Sequence, residues 1–381
     1  MERAYDIVLF GASGFTGALT AAYLSRVAGT GCRWALAGRD RGKLAALGHE
    51  GVPILVADAT DPESMAEVAR QARVVASTVG PYLSYGGPLV AACADAGTHY
   101  LDLTGEPEFV DRMYLLHHEH ATKTGAKLVH SCGFDSIPYD LGVLYTVRRL
   151  PQGVPLTVDG FVTADAGVSG GTFHSAMTAF ARHRQMAEAA RARRAAEPPL
   201  MGRRVRSGPG RLRNVGGWAL PFPSIDPQVV GRSARALDRY GPDFTYRHHY
   251  AVRSLPAALG VAAGAGALVA LAQLPPARSW LLDRLRPGQG PSPERRARHW
   301  FKATFVGEGG GARVITEVSG GDPGYDETAK MLAEAALCLA FDDVPEVAGQ
   351  VTTAVAMGEP LIERLRAAGI SFRTREGTAA P

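Results

Sequence analysis

The chain has 381 residues, of which 46% are hydrophobic and 20% are charged, and its formal net charge is +4. This composition is typical of a packed globular protein of about two domains and excludes a disordered chain. The weak positive charge comes without a Lys/Arg-rich tail or a nucleic-acid motif, so we expect no nucleic-acid partner. Four widely spaced cysteines form no C-x-x-C pair, and we expect reduced thiols in the cytoplasm and no metal site. Because Asp6 interrupts the first apolar run, we expect no secretory signal.

The N-terminus has the pattern of a strand, a glycine-rich turn and a helix. Residues 5–10 are apolar except for Asp6 and have the pattern of a buried parallel strand, and a helical pattern covers residues 18–27. Between them, the first glycine permits the tight turn, the second allows the backbone to approach a pyrophosphate, and the third allows close packing of the helix. The pattern therefore predicts a dinucleotide-binding loop. Its expected cofactor contacts are Gly11, Ser13, Gly14, Phe15, Thr16 and Gly17.

The second and third strands carry the signal for the type of nucleotide. The strand at residues 33–37 ends in Gly38 and Arg39, where NAD-binding proteins usually have an acidic residue. Arginine pairs with a ribose 2′-phosphate, so the sequence favours NADPH. The neighbouring Asp40 keeps NAD open as the alternative. The strand at residues 52–57 ends at Asp58 and Ala59, which we expect beside the adenine.

Strands and helices continue to alternate as far as residue 150. The fourth strand, residues 73–79, ends at Val79, Gly80 and Pro81, and the fifth leads to Gly105, so we expect these four residues near the nicotinamide half of the cofactor. A sixth strand follows at residues 127–130. This alternation predicts a doubly wound parallel sheet, the Rossmann fold, with ligands beyond the carboxyl ends of the strands.

Four segments together resemble the saccharopine dehydrogenase-like NADP-binding oxidoreductases, and within them the trans-acting enoyl reductase branch. They are residues 11–17, 80–82, 133–142 and 324–331, and a Gly-Gly-Thr at 170–172 fits the same branch. The resemblance implies an α/β protein with a Rossmann domain at residues 1–150 and a second, mixed α/β domain at 151–345 that covers the cleft and often dimerises. A C-terminal segment at 346–381 is then expected to pack back on the nucleotide domain. The substrates that the family implies range from amino-acid imines to enoyl thioesters.

Hydride chemistry requires a group that stabilises the developing charge and supplies a proton. Our candidates are Tyr82, ranked first, and Tyr139, Ser136 and His174, each of which also fits a packing or capping role. Asp135 and Ser136 either face the nicotinamide or cap the following helix. The sequence contains no Ser-x-x-x-Tyr-x-x-x-Lys pattern.

Two segments suggest partners. Residues 182–213 contain ten arginines, which fit the phosphopantetheine arm of an acyl carrier protein, coenzyme A phosphates or an anionic membrane, or else form a solvated surface. Residues 254–277 contain no charge, and they fit a buried or dimer-interface helix, a lipid-contacting helix or a membrane span. A peripheral membrane contact would include residues 254–282.

Three functions fit the sequence. The first is NADPH-dependent reduction of a C=C bond in an enoyl thioester or another lipid or polyketide chain. The second is oxidoreduction of an imine or amino-acid adduct, which requires charged groups for the substrate carboxylates. The third is a non-catalytic, lipid-associated protein that binds NADP.

Overall fold

Two β-sheets organise the protein in a computed structural model that describes residues 3–165, 177–178, 181–214, 217–274, 276 and 290–375. The strands are β1 Tyr5–Phe10, β2 Trp34–Gly38, β3 Ile54–Val56, β4 Ala72–Ser77, β5 His99–Asp102, β6 Lys127–Val129, β7 Leu156–Asp165, β8 Arg204–Pro209, β9 Arg213–Asn214, β10 Trp218–Pro221, β11 Asp243–Val252, β12 Trp300–Gly309, β13 Ala312–Gly320, β14 Gly349–Val351 and β15 Ser371–Arg375. The helices are α1 Phe15–Val27, α2 Arg41–Ala45, α3 Pro62–Gln71, α4 Tyr82–Tyr85, α5 Gly87–Ala96, α6 Pro107–Thr124, α7 Ile137–Val147, α8 His183–Ala196, α9 Asp226–Ala236, α10 Leu255–Ala272, α11 Pro293–Arg296, α12 Asp326–Phe341, α13 Thr353–Ala356 and α14 Gly358–Ala367.

The first sheet has seven parallel strands in the order β14-β6-β5-β4-β1-β2-β3. The chain runs outward from β1 to β3 and then returns to β4 on the other side of β1. A crevice therefore opens between β1 and β4 at the carboxyl ends of the strands, where ligands of doubly wound sheets bind. This is the α/β fold that the sequence predicts.

Both faces of this sheet are covered, which explains the continuous apolar runs of its strands. Val8 and Phe10 point to the layer formed by α3, α5 and α6. The alternate residues Ile7 and Leu9 lie in the core that also contains buried residues of α12. Successive side chains of β1 thus pack into the layers on opposite faces of the sheet, as the two-residue period of a strand requires.

The second sheet has the order β15-β13-β12-β7-β11-β10-β9, and β8 also pairs with β11. Strands β12 and β13 form a hairpin, with paired residues from Phe301 and Gly320 to Gly309 and Ala312. Helix α7 is buried along its length against this sheet. A Cβ atom at Gly142 would lie 2.3 Å from Cε2 of Phe305, so only glycine allows this close approach.

The C-terminal third of the chain contributes to both sheets. Strand β14 extends the first sheet beside β6, and β15 extends the second beside β13. Helix α12 packs against α1, β1, β4 and β5. The segment expected to pack back on the nucleotide domain therefore supplies an edge strand to each sheet.

Helix α10 lies outside both cores. It has 18 residues with a mean hydropathy of 2.0, and within the described chain it is the one helix long and apolar enough to cross a membrane. Only Ala258 and Ala272 are buried. The interpretation of this segment as a buried core helix is therefore wrong, because the helix is largely exposed. Its exposure is consistent with the two other interpretations, an interface helix and a lipid-contacting helix.

Candidate active site

A cleft of about 650 Å³ opens at the carboxyl ends of β1 to β6. The glycine-rich loop between β1 and α1 forms its floor. The ends of β2 and β3 lie on one side of the loop, and the ends of β4, β5 and β6 lie on the other. The strand order therefore places an adenosine end beside β2 and β3 and a nicotinamide end beside β4 to β6.

The loop has the backbone geometry that a pyrophosphate requires. Gly11 has a φ of +88°, and a Cβ atom there would lie 2.6 Å from Cγ2 of Val79. A Cβ atom at Gly17 would lie 2.3 Å from the carbonyl oxygen of Gly11. Helix α1 has no side-chain cap and no acidic residue in its first turn, so its N-terminal N–H groups are available to an anion. All six predicted loop residues line the cleft: Gly11, Ser13, Gly14, Phe15, Thr16 and Gly17.

Two cations lie at the adenosine end. Arg39 lines the cleft, as predicted, and so does Lys43, which the sequence interpretation missed although it lies in the first turn after the strand. The Asp40 carboxylate accepts a hydrogen bond from the backbone N–H of Lys43 at 3.0 Å and so caps α2. Because this carboxylate is engaged as a cap and two cations are present, the site fits a 2′-phosphate better than a free 2′-hydroxyl.

Asp58 and Ala59 line the same end, where the sequence predicts them. Asp58 accepts hydrogen bonds from the backbone and the hydroxyl of Thr60, at 2.9 and 2.8 Å. These bonds lower the pKa of Asp58. The turn after β3 is thereby held rigid beside the expected adenine.

At the nicotinamide end, Val79, Gly80 and Pro81 line the cleft as predicted. Gly105 does not line it; the neighbouring Glu106 does. The Glu106 carboxylate accepts hydrogen bonds from the backbone N–H groups of residues 82 and 83, at 3.0 and 2.9 Å, and thus holds the start of α4.

The Tyr82 side chain lies in the cleft wall, but its hydroxyl is engaged with the backbone. It donates to the carbonyl oxygen of Ser77 and accepts from the N–H of Leu103, both at 3.1 Å. Burial raises the pKa of this phenol well above its usual value. Tyr82 therefore ties the ends of β4 and β5 together, which is a structural role.

Two of the segments on which the family resemblance depends meet across the cleft. The Thr328 hydroxyl accepts a hydrogen bond from the N–H of Phe134 at 3.1 Å and donates to the carbonyl oxygen of Pro323 at 2.7 Å. A Cβ atom at Gly133 would lie 2.9 Å from Cγ2 of Thr328, so glycine permits the contact. Residues 133–135 and 323–325 consequently form one continuous wall.

Asp135 lines the cleft within this wall. Burial raises the pKa of its carboxyl to about 6, and no hydrogen bond from the described residues opposes that change. A carboxyl with a pKa near neutrality in a cleft is a candidate general acid.

A buried polar cluster lies behind Asp135. Asp226, at the start of α9, accepts a hydrogen bond from the Ser224 hydroxyl, and its carboxyl lies 3.5 Å from Nε2 of His248. Tyr246 and Nδ1 of His248 are 2.6 Å apart. Burial, and to a lesser degree the charge of Asp135, raises the pKa of Asp226 well above its usual value. Burial lowers the pKa of His248 to about 3, so its imidazole is neutral at neutral pH.

The other candidate donors lie elsewhere. Ser136 and Tyr139 are buried, do not line the cleft, and belong to the layer behind it. The Ser136 side chain makes no cap bond to α7, so capping does not explain its position. His174 and the Gly-Gly-Thr at 170–172 lie outside the described residues.

Several arginines of the region 182–213 are engaged in ion pairs within the chain. Arg182 binds Glu108 through two hydrogen bonds of 2.7 and 2.8 Å, and the buried Arg193 contacts Asp111 at 2.5 Å. Further pairs are Arg203 with Asp238, Arg206 with Asp243, and Arg213 with Asp159. Arg182 and Arg193 thus bind the start and body of α8 to α6, whereas Arg206 joins β8 to β11 and Arg213 joins β9 to β7, so these arginines do not form one free anion-binding patch.

Comparison with known proteins identifies the family. Residues 7–129 match the saccharopine dehydrogenase NADP binding domain. A relative from Mycobacterium tuberculosis strain H37Rv, provisionally named a trans-acting enoyl reductase, is 40% identical over 98% of each chain. The trans-acting enoyl reductase of Mycobacterium ulcerans strain Agy99 is 35% identical over 97% of each. The chain belongs to the trans-acting enoyl reductases of the saccharopine dehydrogenase-like family.

Among solved structures, apo saccharopine dehydrogenase (L-Glu forming) from Saccharomyces cerevisiae superposes with a TM-score of 0.58. The two sequences are 12% identical, and the match covers 97% of this chain and 100% of that chain, so it shows a common fold. The family resemblance, the fold class and the NADP cofactor expected from the sequence are thus confirmed. This family member is an NADP-dependent oxidoreductase.

Proposed function

We propose that this protein uses NADPH to reduce the C=C bond of an enoyl thioester, and that Asp135 supplies the proton. The observation that carries the proposal is the position of Asp135 in the wall at the nicotinamide end, with a pKa of about 6. The names of relatives that match nearly the full chain support the substrate class.

The proposed reaction balances with one hydride and one proton. When bound, NADPH would supply a hydride to the β-carbon, and the C=C electron pair would move towards the thioester oxygen. The α-carbon of the resulting enolate then takes a proton from Asp135. Arg39 and Lys43 would hold the 2′-phosphate, and the N-terminus of α1 would hold the pyrophosphate.

Asp135 suits this role better than Tyr82. The Tyr82 hydroxyl is used by two backbone groups, whereas Asp135 has no hydrogen-bond partner among the described residues. Asp226 is buried behind it, and burial together with the charge of Asp135 raises the pKa of Asp226.

A reductase of amino-acid imines is less well supported. Such substrates carry carboxylates, which require cations near the nicotinamide. Among the described residues that line the cleft, the cations are Arg39 and Lys43, and both lie at the adenosine end. We therefore do not propose this reaction.

The four free cysteines support a cytoplasmic location. An acyl carrier protein that delivers the acyl chain would fit against helix α8, where Arg184, Arg191 and Arg194 are exposed. These side chains offer positive charge to an anionic acyl carrier protein.

The proposal can be tested with purified protein, NADPH and a series of enoyl-coenzyme A thioesters, by following nicotinamide absorbance and identifying the saturated product by mass spectrometry. Asp135→Asn should lower kcat roughly a hundredfold or more, the usual contribution of a positioned general acid. Tyr82→Phe is the comparison, and its kcat should change by less than about fivefold.

In the wild type, kcat should fall as pH rises above about 6, and Asp135→Asn should remove that dependence. Absence of oxidation with every enoyl thioester, despite NADPH binding, would reject the proposed reaction. Full activity of Asp135→Asn, together with inactivity of Tyr82→Phe, would assign the proton to Tyr82.

A further inference from the structure

Helix α10 presents apolar side chains to solvent along its length. Five large side chains are between 36% and 62% exposed: Leu255, Leu259, Val261, Val269 and Leu271. Around the glycines Gly260, Gly264 and Gly266 no atom lies within 4 Å of the position a Cβ atom would occupy. Exposed apolar surface of this extent marks an interaction site.

The exposed side chains point in all directions. At about 100° per residue, Leu255, Leu259, Leu271, Val261 and Val269 lie at about 0°, 40°, 160°, 240° and 320° around the helix axis. A second folded protein covers one side of such a helix and leaves the other in water. A helix that is apolar all round needs an apolar medium on every side, and a lipid phase supplies one.

The ends of the helix show how it meets the lipid. Its 18 residues span about 27 Å, close to the hydrocarbon thickness of a bilayer. However, β11 ends at Val252, two residues before the helix, and Gly290, downstream, packs against the Phe15 ring of the phosphate loop. Both flanks thus belong to the same folded body, so the helix enters the lipid from one side.

Two tryptophans and one arginine lie at the end of the second sheet from which the helix starts. Trp218 of β10 pairs with Val252, and Trp300, which is exposed, pairs with Asp165 at the same end of the sheet. Arg253, immediately before the helix, is exposed. Tryptophan favours the lipid–water interface and arginine favours anionic headgroups.

The same end of the second sheet borders the cofactor cleft. Strand β13 ends at Gly320, opposite Phe301, and the residues that follow it, Pro323 and Tyr325, line the cleft. Tyr325 also contacts Phe15, with ring centroids 4.9 Å apart. The cleft and α10 therefore lie at one end of the molecule.

We propose that α10 is a lipid-docking helix that inserts into an anionic bilayer and holds the cofactor cleft at the membrane surface. This proposal does not depend on the enoyl substrate. It requires that the apolar side chains of α10 become buried in lipid and that Arg253 contacts anionic headgroups.

The test is flotation of the full-length protein with vesicles of phosphatidylcholine alone and of phosphatidylcholine with phosphatidylglycerol. The test variants are Leu259→Asp and Val269→Asp, and the matched control is Leu116→Asp, at an exposed position on α6. NADPH binding, followed by nicotinamide fluorescence, shows that each variant is folded. Light scattering gives the oligomeric state in the same buffer.

We expect the wild type and Leu116→Asp to float with the anionic vesicles, less well at high salt, and each α10 variant to partition about tenfold more weakly or worse. Failure of the wild type to float, or flotation of the α10 variants equal to that of the wild type, would overturn the proposal. A wild-type dimer that becomes monomeric in Leu259→Asp, without vesicle binding, would instead assign the helix to a second copy.

Should the aspartate variants lose NADPH binding, a fluorophore on Val261→Cys provides an independent measurement. Its emission must shift to the blue on addition of anionic vesicles. An unchanged spectrum would overturn the proposal.

Discussion

Selectivity for NADPH should depend on Arg39 and Lys43, the two cations that line the adenosine end of the cleft. A charge-assisted contact with a phosphate contributes roughly 1.5–3 kcal/mol. Since Arg39 and Lys43 are solvent-exposed, we take the lower part of this range, about 1–2 kcal/mol each after screening. Arg39→Ala or Lys43→Ala should then weaken NADPH binding roughly 5- to 30-fold.

NADH affinity should change by less than about twofold, because NADH lacks the 2′-phosphate that these cations bind. The matched control is Arg41→Ala, since Arg41 does not line the cleft and its guanidinium donates to the carbonyl oxygen of Ile54. Titration of the wild type and each variant with both nucleotides, followed by nicotinamide fluorescence, gives the dissociation constants required. Equal losses for NADH and NADPH, or no loss for NADPH, would refute the reasoning.

Three further predictions concern stability and packing. Gly17→Ala should abolish NADPH binding and lower the melting temperature, because its Cβ atom would lie 2.3 Å from the Gly11 carbonyl oxygen; calorimetry and fluorescence titration would show both. Asp140→Ala should lower the free energy of unfolding by about 3–5 kcal/mol, measured by urea denaturation, since the buried carboxylate accepts three hydrogen bonds. Asp135→Asn should match the wild type in stability below about pH 4 and exceed it by roughly 3 kcal/mol above about pH 7. The sign follows because burial raises the folded-state pKa of Asp135, so the wild type loses stability as pH rises through about 6.

The parts of the site that one short stretch of chain determines were predictable. The glycine-rich loop and Arg39 each come immediately after a strand in the chain, and their roles depend on the backbone beside them. Lys43 was missed because its role depends on the turn of α2, which in turn depends on the Asp40 cap.

The buried cluster behind Asp135 could not be predicted. Asp226 and His248 lie on different elements, α9 and β11, and only the packing of the second sheet brings them together. In the local sequence, Asp226 looks like an ordinary residue at the start of a helix, and His248 looks like an ordinary histidine within a strand. The same reason explains Arg193, whose partner Asp111 lies on α6 and is far away along the chain.

The position of β14 has a consequence for the order of folding during synthesis. The nucleotide-binding sheet begins at Tyr5, but its last strand ends at Val351, and α12 covers one of its faces. A nascent chain that stops near residue 150 would therefore have β6 as an unpaired edge and an apolar face without its covering helix. Nearly the whole polypeptide must be synthesised before the NADP site is complete. Truncated products should therefore be unable to bind the nucleotide and should be prone to aggregate.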